Sequence, residues 1–258
     1  MTALYFEQSG AGADIVLIHG WGLHGGIFSS LVEQLAGEFR VTRVDLPGHG
    51  RSSAVDHHFD LGNTADLLAK LVGKPAIWLG WSLGALVALT LASRYPAAVK
   101  ALVLVSATPR FVSSDDWSHA MAPETLEGFA SDLGKDYQAT LDRFLSLQVG
   151  KEKNSRELIR RLREQVLQHG EPDPLVLAAG LDILRDTDLR PQLAAIKQPA
   201  LVVNGGRDRL TPPAAGEYLA RHLANGQYLL FEDAGHAAFL SHQQEFTTRL
   251  KEFLHEQQ

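Results

Sequence analysis

The chain has 258 residues, 45% hydrophobic and 21% charged, a balance that suits a soluble globular protein with one large core and room for an insertion. A net charge of −6 argues against a general nucleic-acid binder, which would carry a strongly basic surface, although local basic patches are compatible with it. The absence of cysteine excludes a disulfide framework, a thiolate metal site and a cysteine nucleophile, and fits a reducing compartment.

Residues 1–7 lack the basic and apolar regions of a secretory signal and read as a first strand, so the expected location is the cytoplasm. Short β-rich runs follow at 15–18, 41–44, 76–79, 101–105, 200–203 and 228–231, most of them apolar on both faces. Such runs suit a mostly parallel sheet with helices on both faces, the amphipathic segments between them supplying the crossovers, so the fold class is α/β. Residues 76–92 are almost wholly apolar and approach the length of a membrane span. Gly80, Ser82 and Gly84 nevertheless divide them into a strand and a helix, and Arg94 with Pro96 closes that helix. A helix apolar all round is buried in protein, so no membrane partner is expected. Between 107 and 200 strand signals vanish and helical patterns take over, which predicts a helical cap at 111–185 inserted into a core of 1–110 and 186–258. Residues 189–196 read as a helix returning to the sheet. The last segment predicts a helix with a capping box of Ser241 and Gln244 and one apolar stripe of Phe246, Leu250, Phe253 and Leu254.

Chemistry is concentrated where strand and helix meet. Gly80-Trp81-Ser82-Leu83-Gly84 places a serine in a G-x-S-x-G pattern between a strand and a helix, the context of a nucleophile elbow. The serine of such a turn is strained, so its neighbours two residues away must be small for strand and helix to approach. A serine hydroxyl needs a base, and in this arrangement an acid and then a histidine follow in the chain. Asp208 follows the strand at 200–203 through Gly205-Gly206-Arg207, and His236 follows the strand at 228–231, so all three converge on one sheet edge. His236 is then the general base for Ser82, and Asp208 orients the imidazole and stabilises its charged form. Taken singly, Ser82 could be a turn serine, Asp208 a cap before Leu210-Thr211-Pro212 and His236 a loop histidine; their ordered coincidence favours the triad. Of the competing carboxylates, Asp45 precedes the nucleophile and Asp233 is too close to His236. His19-Gly20-Trp21-Gly22 follows the strand at 15–18, where an oxyanion donor is needed, which assigns the backbone N–H groups of Trp21 and Leu83 to that role. His57 and His58 lack a defined ligand spacing and no glycine pattern of a nucleotide site opens a helix, so neither a metal nor a cofactor is expected.

With Asp45-Leu46-Pro47-Gly48-His49-Gly50-Arg51-Ser52 added, these motifs resemble the α/β-hydrolase superfamily, which assigns that glycine-rich loop to scaffold. Within the superfamily, Trp78 to Gly84, the cap run Arg143-Phe144-Leu145-Ser146-Leu147-Gln148, and Gly180-Leu181-Asp182-Ile183-Leu184 with Asp188-Leu189-Arg190 resemble the pimeloyl-[acyl-carrier protein] methyl ester esterases of biotin synthesis, nearly end to end. The resemblance implies a methyl ester carried on acyl carrier protein as substrate, with methanol and a free ω-carboxylate as products. It implies substrate contacts at Trp21, Ser82, Leu83, Phe144, Leu145, Ser146, Leu147, Gln148 and His236, with Phe144 and Leu147 along an apolar acyl channel and Gln148 orienting a polar group. It also implies docking of the acidic carrier protein on Arg143, Arg156 and Arg160. Arg156, Arg160 and Arg163 share one helix face, Lys151 and Lys153 lie nearby, and Ala139 stands where the family pattern has a further arginine. A serine at position 82 disfavours dehalogenases and epoxide hydrolases, which use aspartate there. The rivals are a broad short-chain carboxylesterase and a low-turnover binding protein on the same fold. A monomer without a nucleic-acid partner is expected.

Overall fold

In the computed structural model, residues 4–53, 59–133, 135–149, 155–169 and 172–257 are described. His57, His58, Lys151 and Lys153 lie outside the described residues, as do the side chains of Leu147 and Gln148.

Seven strands form one sheet: β1 (Phe6–Ser9), β2 (Ala13–Ile18), β3 (Phe39–Val44), β4 (Ala76–Trp81), β5 (Val99–Val105), β6 (Pro199–Gly205) and β7 (Asn225–Phe231), in the order β1-β3-β2-β4-β5-β6-β7. Only β1 runs antiparallel, against β3. Each apolar run in the sequence is a strand here, for a simple reason. Successive side chains of a strand point to opposite faces, and both faces of this sheet are covered. Val16, Ile18, Trp78, Leu102, Leu104 and Val202 enter one apolar cluster with α2 (Leu61–Val72), α3 (Leu83–Arg94) and α8 (Pro213–His222). Their neighbours Ile15, Leu17, Ile77, Leu79, Val103 and Val203 enter the other, with α1 (Ser29–Leu35) and α10 (Gln243–Glu256).

The long apolar stretch resolves into β4 and α3, and no helix among the described residues is long and apolar enough to cross a membrane. Helix α10 carries the expected stripe into the core, but its start differs from expectation. A short helix α9 (Ala238–Ser241) precedes it, His242 stands at its N-cap, and no side chain caps it. The Ser241 hydroxyl reaches Ala237 O at 3.5 Å and His242 Nδ1 at 2.9 Å, so the capping box with Gln244 does not form. Residues 190–195, expected to be a helix, form a 3-10 helix with Pro191 in its first turn, which removes a backbone donor.

Between β5 and β6 lie α4 (Pro123–Leu133), α5 (Tyr137–Val149), α6 (Ser155–Leu167) and α7 (Pro174–Asp186), after a non-helical lead-in bridged at Val112–Met121. Their apolar faces do not make a core of their own. Phe129, Phe144, Leu177 and Leu181 join the first cluster, and Leu141, Leu145, Leu162 and Val166 the second. His24, beyond β2, adds a polar tie by donating from Nε2 to Gln165 O of α6.

Candidate active site

The register of the sheet decides where the site lies. Ile18 pairs with Gly80, Trp81 with Val105, Val105 with Val203, and Gly205 with Phe231, so the C-terminal ends of five parallel strands are level. The loops leaving them carry Trp21, Ser82, Asp208 and His236, at the edge where open α/β sheets bind ligands.

Ser82 is the single residue between β4 and α3, and it has φ 56° and ψ −117°, a left-handed backbone that an L-residue adopts only at a cost of about 1–3 kcal/mol. Two hydrogen bonds hold it there: Ser82 N donates to Val105 O at 3.0 Å, and Ala85 N donates to Ser82 O at 2.9 Å. The flanking glycines are required by contact. A Cβ at position 80 would lie 2.3 Å from Gly84 O, and one at position 84 would lie 2.3 Å from Ile18 O. The hydroxyl therefore sits on a turn that nothing larger could close, next to the first N–H groups of a helix, which favour negative charge.

Asp208 and His236 are brought together by backbone. Gly206 N donates to Phe231 O at 2.8 Å and Arg207 N to Ala234 O at 2.9 Å, which zips the loop after β6 to the loop after β7. His236 Nδ1 then lies 2.8 Å from Asp208 Oδ2, both side chains fully buried. The same carboxylate accepts from Leu210 N and Thr211 N at 2.9 Å each, and from Thr211 Oγ1 at 2.6 Å. It thus closes a turn and orients a histidine at once. Thr211 is the partner that spacing alone did not single out; a hydroxyl three residues after the acid was the available signal. Burial pushes the Asp208 carboxyl up, but the charge and hydrogen bond of His236 and the bonds from Thr211 outweigh it, and the group is held below its usual range. Trp81 Nε1 donates to His236 O at 2.9 Å, tying the histidine's loop to the residue before Ser82. His236 Nε2 is buried and makes no hydrogen bond among the described residues, so the ring nitrogen facing away from Asp208 is unpaired.

The segment after β2 lies against Ser82: a Cβ at Gly20 would stand 3.4 Å from Ser82 Cβ. Leu83 is the first residue of α3, where an N–H has no acceptor inside the helix. The Trp21 indole is buried, donating from Nε1 to Leu177 O at 2.8 Å and meeting Phe144 edge-on at 4.8 Å. Phe144 is buried against Trp21 and Phe129, and Leu145 belongs to the opposite apolar cluster. Ser146 is exposed, with its hydroxyl donating to Asp142 O. Consecutive residues of one helix thus face three directions, as 3.6 residues per turn requires. The arginines are exposed but engaged: Arg143 with Asp132 and over the Phe129 ring, Arg160 with Glu157 and Glu164, and Arg163 with Asp142. Arg156 is exposed on α6.

Behind this edge, His19 and the loop of Asp45 brace one another. His19 Nδ1 donates to Gly20 O at 2.8 Å and Nε2 accepts from Leu46 N at 2.9 Å, an arrangement open only to the neutral ring. Asp45 accepts from Gly25 N at 2.7 Å and Arg51 N at 2.9 Å, as a scaffold loop would. Burial, with His49 alongside, pushes His19 down to about 3, and burial pushes His49 to about 4. The unfolded chain protonates both near 6.5, so unfolding takes up protons below that pH. The stability that the two neutral rings contribute is therefore complete well above pH 6.5 and is lost progressively as pH falls below it. Urea unfolding between neutral and mildly acid pH checks this. His49→Asn keeps a donor for Pro47 O, removes one titration and should flatten the profile; an unchanged slope would contradict the assignment.

The chain matches the family described as alpha/beta hydrolase fold over residues 15–243. It is 44% identical over 254 residues to the pimeloyl-[acyl-carrier protein] methyl ester esterase of Chromobacterium violaceum, covering 98% of this chain and 99% of that protein. The protein of the same name from Stenotrophomonas maltophilia is 42% identical over 251 residues, covering 97% and 96%. Among solved structures, an esterase from Exiguobacterium antarcticum superposes with a TM-score of 0.90 at 25% identity, covering 98% of this chain and 95% of that one. With a strained serine between strand and helix, a buried carboxylate–histidine pair on loops at the same sheet edge and similarity along nearly its whole length, the chain belongs to the α/β-hydrolase fold family and, within it, to the pimeloyl-[acyl-carrier protein] methyl ester esterases.

Proposed function

We propose that this protein hydrolyses the methyl ester of pimeloyl-acyl carrier protein, in the cytoplasm, as a monomer and without a cofactor, through Ser82, His236 and Asp208. The observation that carries this reading is the buried Asp208–His236 pair at 2.8 Å, whose free Nε2 is on the side of the imidazole away from the carboxylate. Ser82 Oγ attacks the ester carbonyl while His236 Nε2 takes its proton, and the imidazolium so formed is stabilised by the ionised Asp208. The N–H groups of Trp21 and Leu83 hold the oxyanion of the tetrahedral intermediate. His236 returns the proton to the departing methoxide, releasing methanol. Water, deprotonated by the same nitrogen, then frees the acyl group as a carboxylate and restores Ser82. The bond from Ser82 Oγ to His236 Nε2 is not formed in the resting geometry, as is common before substrate binds.

The cap supplies the specificity in this reading. Phe144, on the face of α5 that meets Trp21, borders the acyl channel, Leu145 in the opposite apolar cluster anchors the same helix from its other side, and Arg143, Arg156 and Arg160 receive the carrier protein. One observation favours a second reading, a broad short-chain carboxylesterase: Arg143 and Arg160 already pair with acidic neighbours, which lowers the positive field an acidic partner would meet. Steady-state kcat/KM for pimeloyl methyl ester on acyl carrier protein, against a free short-chain methyl ester, separates the two. The first reading expects the carrier-bound ester to be preferred by at least about tenfold, with Arg156→Glu plus Arg160→Glu removing most of that preference. Equal use of both esters, untouched by the charge reversal, would assign the chain to the second reading.

A further inference from the structure

Helix α7 contains a glycine in its interior, Gly180, at a position where alanine would make the helix more stable by about 1 kcal/mol. Its φ is ordinary, so backbone conformation does not demand it. A contact does. A Cβ at position 180 would lie 2.6 Å from Cδ1 and 3.0 Å from Nε1 of Trp21, closer than carbon atoms tolerate. One turn earlier on the same face, Leu177 O accepts the indole N–H at 2.8 Å. The pyrrole side of the indole thus lies against α7 at Gly180, with Nε1 bonded to Leu177 O and the ring steeply inclined to that of Phe144. It is rigid, buried and held at three points, and its own backbone belongs to the loop beside Ser82.

We infer that Gly180 is a positioning residue for the oxyanion loop: by leaving room for the Trp21 indole against α7, it sets where the Trp21 N–H points relative to Ser82. This rests on the reading of Trp21 N–H as an oxyanion donor. The cap helix is thereby coupled to catalysis by shape, without touching the substrate. Ordinary contact between carbon atoms needs about 3.5–4.0 Å, so a methyl group at 180 displaces the indole by about 1 Å, and a misplacement of that size costs up to about 100-fold in rate. The indole cannot yield by a rotamer change without giving up its hydrogen bond to Leu177.

The test is a double-mutant cycle of Gly180→Ala and Trp21→Leu, assayed with p-nitrophenyl butyrate so that carrier docking plays no part. With Trp21 present, Gly180→Ala is expected to lower kcat by about 10- to 100-fold and to move KM by less than about threefold. In the Trp21→Leu background, where no indole meets the new methyl group, the same change should cost less than about threefold. The Trp21 indole N–H resonance, assigned by its loss in Trp21→Leu, should shift and exchange faster in Gly180→Ala, a readout that does not depend on turnover or on a folded yield of every variant. An unmoved indole resonance, a kcat within about twofold of the parent, or an equal loss in both backgrounds would each overturn the inference. Ser82→Ala run alongside keeps the two readings apart. Turnover by that variant would discredit the triad itself, whereas an inactive Ser82→Ala with a fully active Gly180→Ala removes only the role of Gly180.

Discussion

Ser82→Ala is expected to reduce ester hydrolysis by about a millionfold in kcat, to the level left by binding and oxyanion donors alone. On the proposed mechanism the change deletes the atom that forms the covalent bond, and the described residues of the acid–base network offer no replacement. The nearest hydroxyl within the acid–base network, that of Thr211, is committed to Asp208 at 2.6 Å and lies on the far side of His236 from Nε2. The fold should not change. Ser82 contributes its backbone to the structure, through Ser82 N to Val105 O and Ala85 N to Ser82 O, and alanine keeps both bonds. Alanine inherits the same backbone strain and opens no core cavity, so the thermal unfolding midpoint should stay within a few degrees, consistent with a change of well under about 1 kcal/mol. Initial rates on a p-nitrophenyl ester, together with a thermal melt, decide the matter. Measurable turnover by well-folded Ser82→Ala would mean that the nucleophile is elsewhere.

The second large effect is expected at Asp208. Asp208→Asn preserves volume but should lower kcat by about 1,000- to 10,000-fold. The carboxylate accepts four hydrogen bonds, from Leu210 N, Thr211 N, Thr211 Oγ1 and His236 Nδ1, and an amide offers one oxygen and two donors in their place. If the amide oxygen stays with the two backbone N–H groups, its NH2 faces the imidazole and stabilises the tautomer whose proton sits on Nε2. That tautomer cannot accept the proton of Ser82. The negative charge that steadies the imidazolium is also lost, in a place where burial would make it most effective. Kinetics on a free ester suffice as the measurement. A loss smaller than about tenfold would show that His236 is oriented by other contacts, such as that of Trp81 Nε1 to its carbonyl, and would reduce Asp208 to the turn-closing role that its backbone bonds also describe.

The protein divides clearly into what local sequence dictates and what only packing decides. The strands were legible because a run such as Ile15-Val16-Leu17-Ile18 must be covered on both sides and is too short for a helix. The elbow was legible because Gly80 must be small within the turn itself, where a Cβ would meet Gly84 O; Gly84 is small for a tertiary reason, the approach of Ile18 O on β2. The pairing of Asp208 with His236 could be expected from their places just past two strands. The parallel register then had to bring those strand ends level, since each parallel crossover returns the chain to the same edge.

Other features could not be read along the chain. A serine and a glutamine three apart suggested a capping box at Ser241 and Gln244, yet the segment packs Phe239 into the core and spends the hydroxyl on Ala237 and His242. The cap arginines gave a basic stripe in sequence, whereas Asp132 and Asp142, on other helices, reach Arg143 and Arg163 only once those helices pack together. Most of all, nothing local accounts for Gly180, a residue of low helix propensity in the interior of α7. Its purpose lies 159 residues earlier, in the Trp21 indole that fills the space it leaves. Backbone sterics and short-range periodicity are enough to specify the strands, the strained turn and the chain order of Ser82, Asp208 and His236. The tertiary structure alone decided which side chains face one another across helices and loops, because that depends on volumes and partners supplied by distant parts of the chain.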